Sequence, residues 1–292
     1  MDLASLESIT ISDIEQHKQL SDDELRNDIA RLRAYPADEH RNTFVGNRFL
    51  YHFQFKNLLL CRRQGQPTIY EIWADPVLRH KLLTSTVKRA RQGASQSGNV
   101  FECFRINLGS VVMFKAATAK YLYKKYHATK VLDPTAGWGG RMLAAHSLGI
   151  EYTGIDTNID LKPAYDSMIE FLADDKLAMI WDHCLDIDFG QLDYDFVLTS
   201  PPYVNLESYQ HMTPWTNDKI YYQEFLIPLW ENCLAHIRPG GHVALNISPK
   251  MYELALTFGL APADIQEELL QQTGVRSRSD KIYIWTRRKY PS

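Results

Sequence analysis

From about residue 100 onward the chain alternates short apolar runs with longer helical ones, and that alternation limits it to very few folds. KVLDP (130–134), EYTGIDT (151–157), LAMIWDH (177–183), DYDFVLTSPPY (193–203), HVALNIS (242–248) and DKIYIWTRRKY (280–290) read as strands. Helical spacing occupies residues 116–126, 139–149, 161–175, 221–241 and 263–274 between them. Parallel neighbours need a crossover of a dozen residues or more, and helices of this length supply it. The pattern predicts an α/β protein with a mostly parallel, doubly wound, Rossmann-like sheet. Ligands of such sheets sit outside the carboxyl ends of the strands, where the strand order reverses.

The first hundred residues follow a different rule. Ser21 with Glu24 three residues on is a capping-box pattern, Leu25, Ile29 and Leu32 recur at helical spacing, and Pro36 closes the segment. Residues 41–92 mix aromatics with cations, with Phe49, Phe53, Lys56 and Leu60 at one helical spacing and Leu78 and Leu82 at another. GASQSGN (93–99) is the natural linker or loop. The expected organisation is a helical N-terminal region over residues 1–99 and an α/β domain over 100–292.

Hydrophobic residues at 45% and charged residues at 23% suit a globular protein with a substantial core. No apolar run approaches a membrane span, and the opening MDLASLESIT is acidic and polar rather than signal-like. Cys61, Cys103, Cys184 and Cys233 show no spacing typical of a disulfide framework or zinc site, and the histidines show none typical of a metalloprotease. A reduced, cytoplasmic protein without a metal is therefore expected.

The net charge of −3 is unevenly spread. Lys and Arg number 4 against 10 acidic residues over 1–40, 10 against 2 over 41–99, and 6 against 1 over 274–292. Two basic stretches around an acidic middle point to a polyanionic partner, although solvated helix faces give the same counts.

Two motifs sit where such a fold places chemistry. VLDPTAGWGGR puts Asp133, Pro134, Gly137, Gly139 and Gly140 in the turn after the first strand. Glycines there permit positive φ and close approach of a ligand, while Asp133 offers acceptors to an ammonium or hydroxyl. Asp156 ends the second strand, where an acidic residue can hold a ribose. A glycine-rich turn also serves to pack helix on sheet, but the two aspartates at these offsets favour a nucleotide-like cofactor.

The second motif is TSPPY, Thr199 to Tyr203. Two prolines cannot continue a central strand because they donate no ladder hydrogen bonds. They fix an extended loop presenting Ser200, the Pro201 carbonyl and Tyr203, which suits a flat, amine-bearing ring. A stiffened connection without chemistry would look the same.

Together, DPTAGWGG and TSPPY resemble the class I S-adenosylmethionine-dependent amino-methyltransferases of DNA, which modify N4 of cytosine or N6 of adenine. The resemblance covers residues 100–292, and the serine-led SPPY is more typical of the N4-cytosine enzymes. It implies S-adenosylmethionine as cofactor, with Asp133, Pro134, Gly137 and Gly139 around its methionine moiety and Asp156 on its ribose. Asp182, or alternatively Asp186, would lie near the adenine. Asn107 and Phe114, in FRINLGSVVMFKAATAKYLY, are further cofactor contacts by the same resemblance.

It also implies Ser200, Pro201, Pro202 and Tyr203 as the catalytic loop. Tyr209 and Trp215 beyond it would act as covers of the base or as loop anchors. DNA would be held by the basic stretches 41–99 and 274–292, with Arg62, Arg63, Lys88, Arg89, Arg91, Arg276 and Arg278 as candidate phosphate contacts. Here the cofactor motif precedes SPPY, the reverse of many N4-cytosine enzymes. Adenine-N6 methylation, N-methylation of an RNA base and an inactive nucleic-acid-binding relative therefore stay open.

Overall fold

The computed structural model describes residues 2–38, 43–63, 65–108, 113–202, 207–208, 215–268 and 281–288. Seven strands form its central sheet: β1 Lys130–Asp133, β2 Glu151–Ile155, β3 Leu177–Ile180, β4 Phe196–Thr199, β5 His242–Ile247, β6 Ile265–Glu268 and β7 Lys281–Thr286. They lie in the order β3-β2-β1-β4-β5-β7-β6. The first five are parallel, whereas β7 runs antiparallel to β5 and β6 antiparallel to β7. This is the Rossmann-like sheet expected from the sequence. The order reverses between β1 and β4, which pair directly through Val131↔Phe196 and Leu132↔Val197.

Helices α1 Leu3–Glu7, α2 Ile11–Glu15, α3 Asp22–Ala34, α4 Asn47–Leu60, α5 Ile69–Ala74, α6 Pro76–Arg89 and α7 Gln96–Leu108 precede the sheet. Helices α8 Ala116–Lys125, α9 Gly140–Leu148, α10 Lys162–Leu172, α11 Asp218–Tyr221, α12 Ile227–His236 and α13 Pro249–Thr257 belong to the α/β part. Side chains alternate across the strands. Val131, Phe196, Leu198, Ala244, Ile282 and Ile284 face one apolar cluster, and Leu132, Val197, Val243, Leu245 and Tyr283 the other. The first cluster also takes in the apolar faces of the N-terminal helices, so these helices and the sheet share a core. Helix α7 begins inside the Gly/Ser-rich stretch and runs across residue 99.

Local chemistry explains the helix ends. Ser21 and Glu24 form the expected capping box on α3. A π-helical turn, Tyr222–Leu226, joins α11 to α12. Pro228 follows at once and has no N–H to donate to an i−4 carbonyl, which favours the wider turn. Helix α13, which the sequence pattern did not announce, starts from a Ser248 cap with Pro249 at its first position.

One expected element is overturned. Residues 263–274 read as a helix, yet Ile265–Glu268 form strand β6. Tertiary pairing decides the matter: β6 lies along β7 in the register Ile265↔Ile284 to Glu268↔Lys281. Lys125 and Tyr126, at the end of α8, both donate to Glu267. Residues 269–274 lie outside the described residues. Among the described residues no helix is long and apolar enough to cross a membrane.

A buried lysine joins the two parts of the chain. Lys120 on α8 donates to the carbonyls of Leu32, Arg33 and Tyr35 at 2.7, 2.9 and 2.8 Å, closing the C-terminal end of α3. A cation there also complements the helix dipole. Lys120→Met would leave these carbonyls without that donor, and the expected loss in urea unfolding is about 3 kcal/mol. A change below ~0.5 kcal/mol, the level of an ordinary surface substitution, would show that the lysine does not hold the junction.

Candidate active site at the carboxyl edge of the sheet

The glycine-rich turn leaves β1 at its carboxyl end. Gly137 and Gly139 have φ of 58° and 85°, left-handed values that glycine adopts without strain. At Gly140 a Cβ would stand 2.1 Å from the Phe114 carbonyl oxygen, so any side chain there would force the two segments apart. Phe114 is thereby brought to the turn, and its ring lies 5.2 Å from the Arg141 guanidinium. Pro134 is buried beneath the same turn.

Asp133 is fully buried. Its Oδ2 accepts from Arg141 Nε at 2.6 Å and from the Tyr152 hydroxyl at 2.7 Å, while Oδ1 has no hydrogen-bond partner. Burial alone would lower the pKa of Arg141, but Asp133 beside it holds the guanidinium firmly charged. Arg141 also donates to the Thr135 carbonyl, and the Tyr165 hydroxyl donates to the Gly137 carbonyl at 3.0 Å. The turn is thus braced from α9 and from α10.

Asp156 ends β2 and faces the turn. Gly137 N donates to its Oδ2 at 2.7 Å and Asn158 N to its Oδ1 at 2.9 Å. Burial pushes its pKa up from 3.8 to about 6, against the pull of these two donors. Asp182 lies just past the end of β3 and is exposed, with the His183 N–H on its Oδ1 at 2.7 Å. Asp186 is also exposed, one 3-10 turn further along.

The proline loop leaves β4 beside the glycine-rich turn, and the Thr135 and Thr199 hydroxyls hydrogen-bond at 2.5 Å between the two. Ser200 Oγ accepts from Asn246 Nδ2, which projects from β5, at 3.2 Å. Asn246 is buried and its Oδ1 has no partner. The motif search missed it; its only signal is a polar residue within the apolar strand HVALNIS. Pro201 is buried and Pro202 partly so, whereas Tyr203 and Tyr209 lie outside the described residues. Trp215 packs on Tyr221 and Phe225, with ring centroids 4.8 and 5.1 Å away, and so anchors the end of the loop.

Asn107 is not gathered into this constellation. Its amide donates to Ser85 Oγ and Cys103 Sγ at 3.0 and 3.3 Å, which assigns it to the packing of α7 on α6. Burial raises the thiols of Cys184, to about 12, and of Cys233, so neither supplies a thiolate near neutral pH. Among the described residues no group of three or more His, Cys, Asp or Glu could hold a metal ion.

The basic stretch 41–99 is partly neutralised by the acidic segment before it. Arg48 pairs with Glu24 at 2.9 Å, Lys56 lies 3.9 Å from Glu15, and Arg79 donates to the Glu7 and Ile9 carbonyls. Lys88, Arg89 and Arg91 remain exposed. The backbone of Arg62 and Arg63 pairs antiparallel with Ser208 and Glu207, beyond the proline loop. Arg276 and Arg278 lie outside the described residues.

No family model and no curated protein matches this chain. Solved structures do show likeness. TrmN from Thermus thermophilus aligns at 18% identity and TM-score 0.44 over 59% of this chain and 48% of its own, about half its length. An RNA methyltransferase from Salinibacter ruber, solved with S-adenosyl-L-homocysteine, aligns at 16% and 0.41 over 62% of this chain and 97% of its own. The T. thermophilus 16S rRNA N2 G1207 methyltransferase RsmC, solved with AdoMet and guanosine, aligns at 17% and 0.41 over 61% and 44%. The strand order and crossovers of the chain itself, rather than these superpositions, define its fold.

The raised pKa of Asp156 has a signed consequence. Its folded state holds the proton more tightly than the unfolded chain, so its contribution to stability is most favourable below pH 3.8 and is lost as pH rises through about 6. Asp156→Asn removes this titration. The stability of the wild type relative to Asp156→Asn should fall by about 2 kcal/mol between pH 4 and pH 7, once partial solvent access is allowed for. Parallel urea titrations at the two pH values measure it, and an unchanged difference would overturn the assignment.

Proposed function

We propose that this protein is an S-adenosylmethionine-dependent methyltransferase acting on the exocyclic amine of a nucleic-acid base, with N4 of cytosine in DNA as the favoured target. The observation that carries the reading is the juxtaposition of the two motifs at the strand-order reversal, tied by the Thr135–Thr199 hydrogen bond. A cofactor on the glycine-rich turn and a base on the proline loop would share one crevice.

The residues fit that cofactor. Asp133 Oδ1, buried and without a partner, is the acceptor an ammonium requires. Asp156 retains lone pairs for ribose hydroxyls, and Asp182 is the residue assigned to the adenine. Beside Gly137 a Cβ would meet only the Thr135 carbonyl, at 3.9 Å, so a ligand can approach the backbone closely. Pro134, Gly139 and Phe114 complete the wall. When bound, the cofactor supplies an electrophilic sulfonium methyl.

The chain's own task is to present the amine. An amine conjugated to its ring is a poor nucleophile because its lone pair is delocalised. Ser200 Oγ accepts one hydrogen bond from Asn246 and keeps a lone pair for an amine proton, while the Pro201 carbonyl is a second acceptor. Two acceptors on the amine favour a pyramidal nitrogen with a localised lone pair, and fixed dipoles act without reorganising. The base must leave its stack to reach them, with Tyr203 as the expected stacking partner.

N-methylation of an RNA base is the second reading. The pairing of Arg48 and Lys56 with the acidic segment reduces the charge that residues 41–99 can offer to duplex phosphates.

Nucleoside mass spectrometry after incubation of DNA or RNA with methyl-labelled S-adenosylmethionine tests the assignment. N4-methylcytosine in DNA is expected. Label in RNA alone would establish the second reading, and no label in either would make the protein a binding relative. Ser200→Ala and Tyr203→Ala should each cut transfer by about 10²-fold while S-adenosylhomocysteine affinity stays within about threefold.

A further inference from the structure

Helix α4 carries the N-terminal region up to the crevice. A Cβ on Gly46, just before α4, would lie 3.3 Å from Leu143 Cδ2, and one on Gly140 would lie 3.5 Å from Leu50 Cδ1. Advancing along α4 from Gly46 to Leu50 therefore moves back along α9 from Leu143 to its first residue, toward the glycine-rich turn. Helix α4 also touches the 3-10 turn Ile159–Leu161 that follows Asp156. Its outward face carries the exposed Arg48 and Lys56, and its inward face the buried Leu50, Gln54 and Leu58 at fourfold spacing. Gln54 stands one turn beyond Leu50, about 6 Å nearer the carboxyl edge.

Gln54 is fully buried. Its Oε1 accepts from Asn57 Nδ2 at 3.0 Å, but its Nε2 has no partner. Folded proteins pair nearly all such atoms, and an apolar residue like Leu50 or Leu58 would pack here without leaving one. The unpaired atom is a donor, so the group it fits is an acceptor. The turn nearby is lined by the carboxylates of Asp133 and Asp156, and the Arg141 charge is already matched by Asp133. A ligand carboxylate entering that site needs neutral donors, and the Gln54 amide is one.

Resting on the methyltransferase reading, we propose that Gln54 Nε2 donates to the amino-acid carboxylate of the cofactor, so that helix α4 forms part of the cofactor site. Calorimetry with two probes, S-adenosylhomocysteine and 5′-methylthioadenosine, tests this on the full chain, because only the first carries the amino-acid end. Gln54→Met should weaken S-adenosylhomocysteine binding about tenfold or more, the loss expected for a hydrogen bond to a charged group, and leave 5′-methylthioadenosine within about twofold. The melting temperature of the ligand-free variant should stay level or rise, since an unpaired donor is removed. Gln54→Asn, which retracts the amide by one methylene, should show the same selective loss.

Unchanged S-adenosylhomocysteine affinity in both variants would overturn the proposal. So would an equal loss for the two probes, which would mark Gln54 as shaping the pocket as a whole. Wild-type protein that binds neither probe would overturn the methyltransferase reading, and this inference with it.

Discussion

Everything at the carboxyl edge depends on the parallel pairing of β1 with β4. That single contact lies where the strand order reverses, and it delivers two loops of opposite character to the same place. One is glycine-rich and lets a ligand reach backbone; the other is proline-rich and cannot yield. The threonines that bridge them, Thr135 and Thr199, convert adjacency into a fixed separation. Beneath them the Asp133–Arg141 pair, the Tyr152 hydroxyl and the Tyr165 hydroxyl hold the turn from below. A buried ion pair of this kind is weak evidence for stability. Its value here is geometric, because it fixes one carboxylate oxygen and leaves the other unmatched.

The N-terminal helices are built into this arrangement rather than attached to it. They bury their apolar residues in the cluster that covers one face of the sheet, and Lys120 closes the end of α3 from the other side of the junction. Acidic residues of α2 and α3 also meet Lys56 and Arg48 of α4, so charges that are widely segregated in the sequence lie together in space. Linear charge blocks therefore overstate how much free positive surface the fold presents.

What the sequence disclosed, and what it withheld, follows from the range of the forces involved. Strands such as KVLDP and DYDFVLT are apolar because both faces of the sheet are covered, and that burial is written locally. The capping box at Ser21 and the break at Pro201 and Pro202 are likewise decided within a few residues. Ile265–Glu268 was misread because its composition suits an exposed helix, and only pairing with β7 makes it a strand. Asn107 was drawn to the cofactor by the resemblance, yet its amide is taken by Ser85 and Cys103. Asn246 and Tyr165 stayed invisible because their importance depends on what approaches them from other elements, which no local pattern encodes.

The short antiparallel pairing of Arg62–Arg63 with Glu207–Ser208 has a structural consequence of its own. The segment after the proline loop finds its ladder partner in the first quarter of the chain, more than a hundred residues upstream. A fragment trimmed to the sheet and its flanking helices would keep the strand order while deleting that partner. The smallest competent unit is therefore set by backbone hydrogen bonding across the crevice, and it reaches back well before the first strand of the sheet.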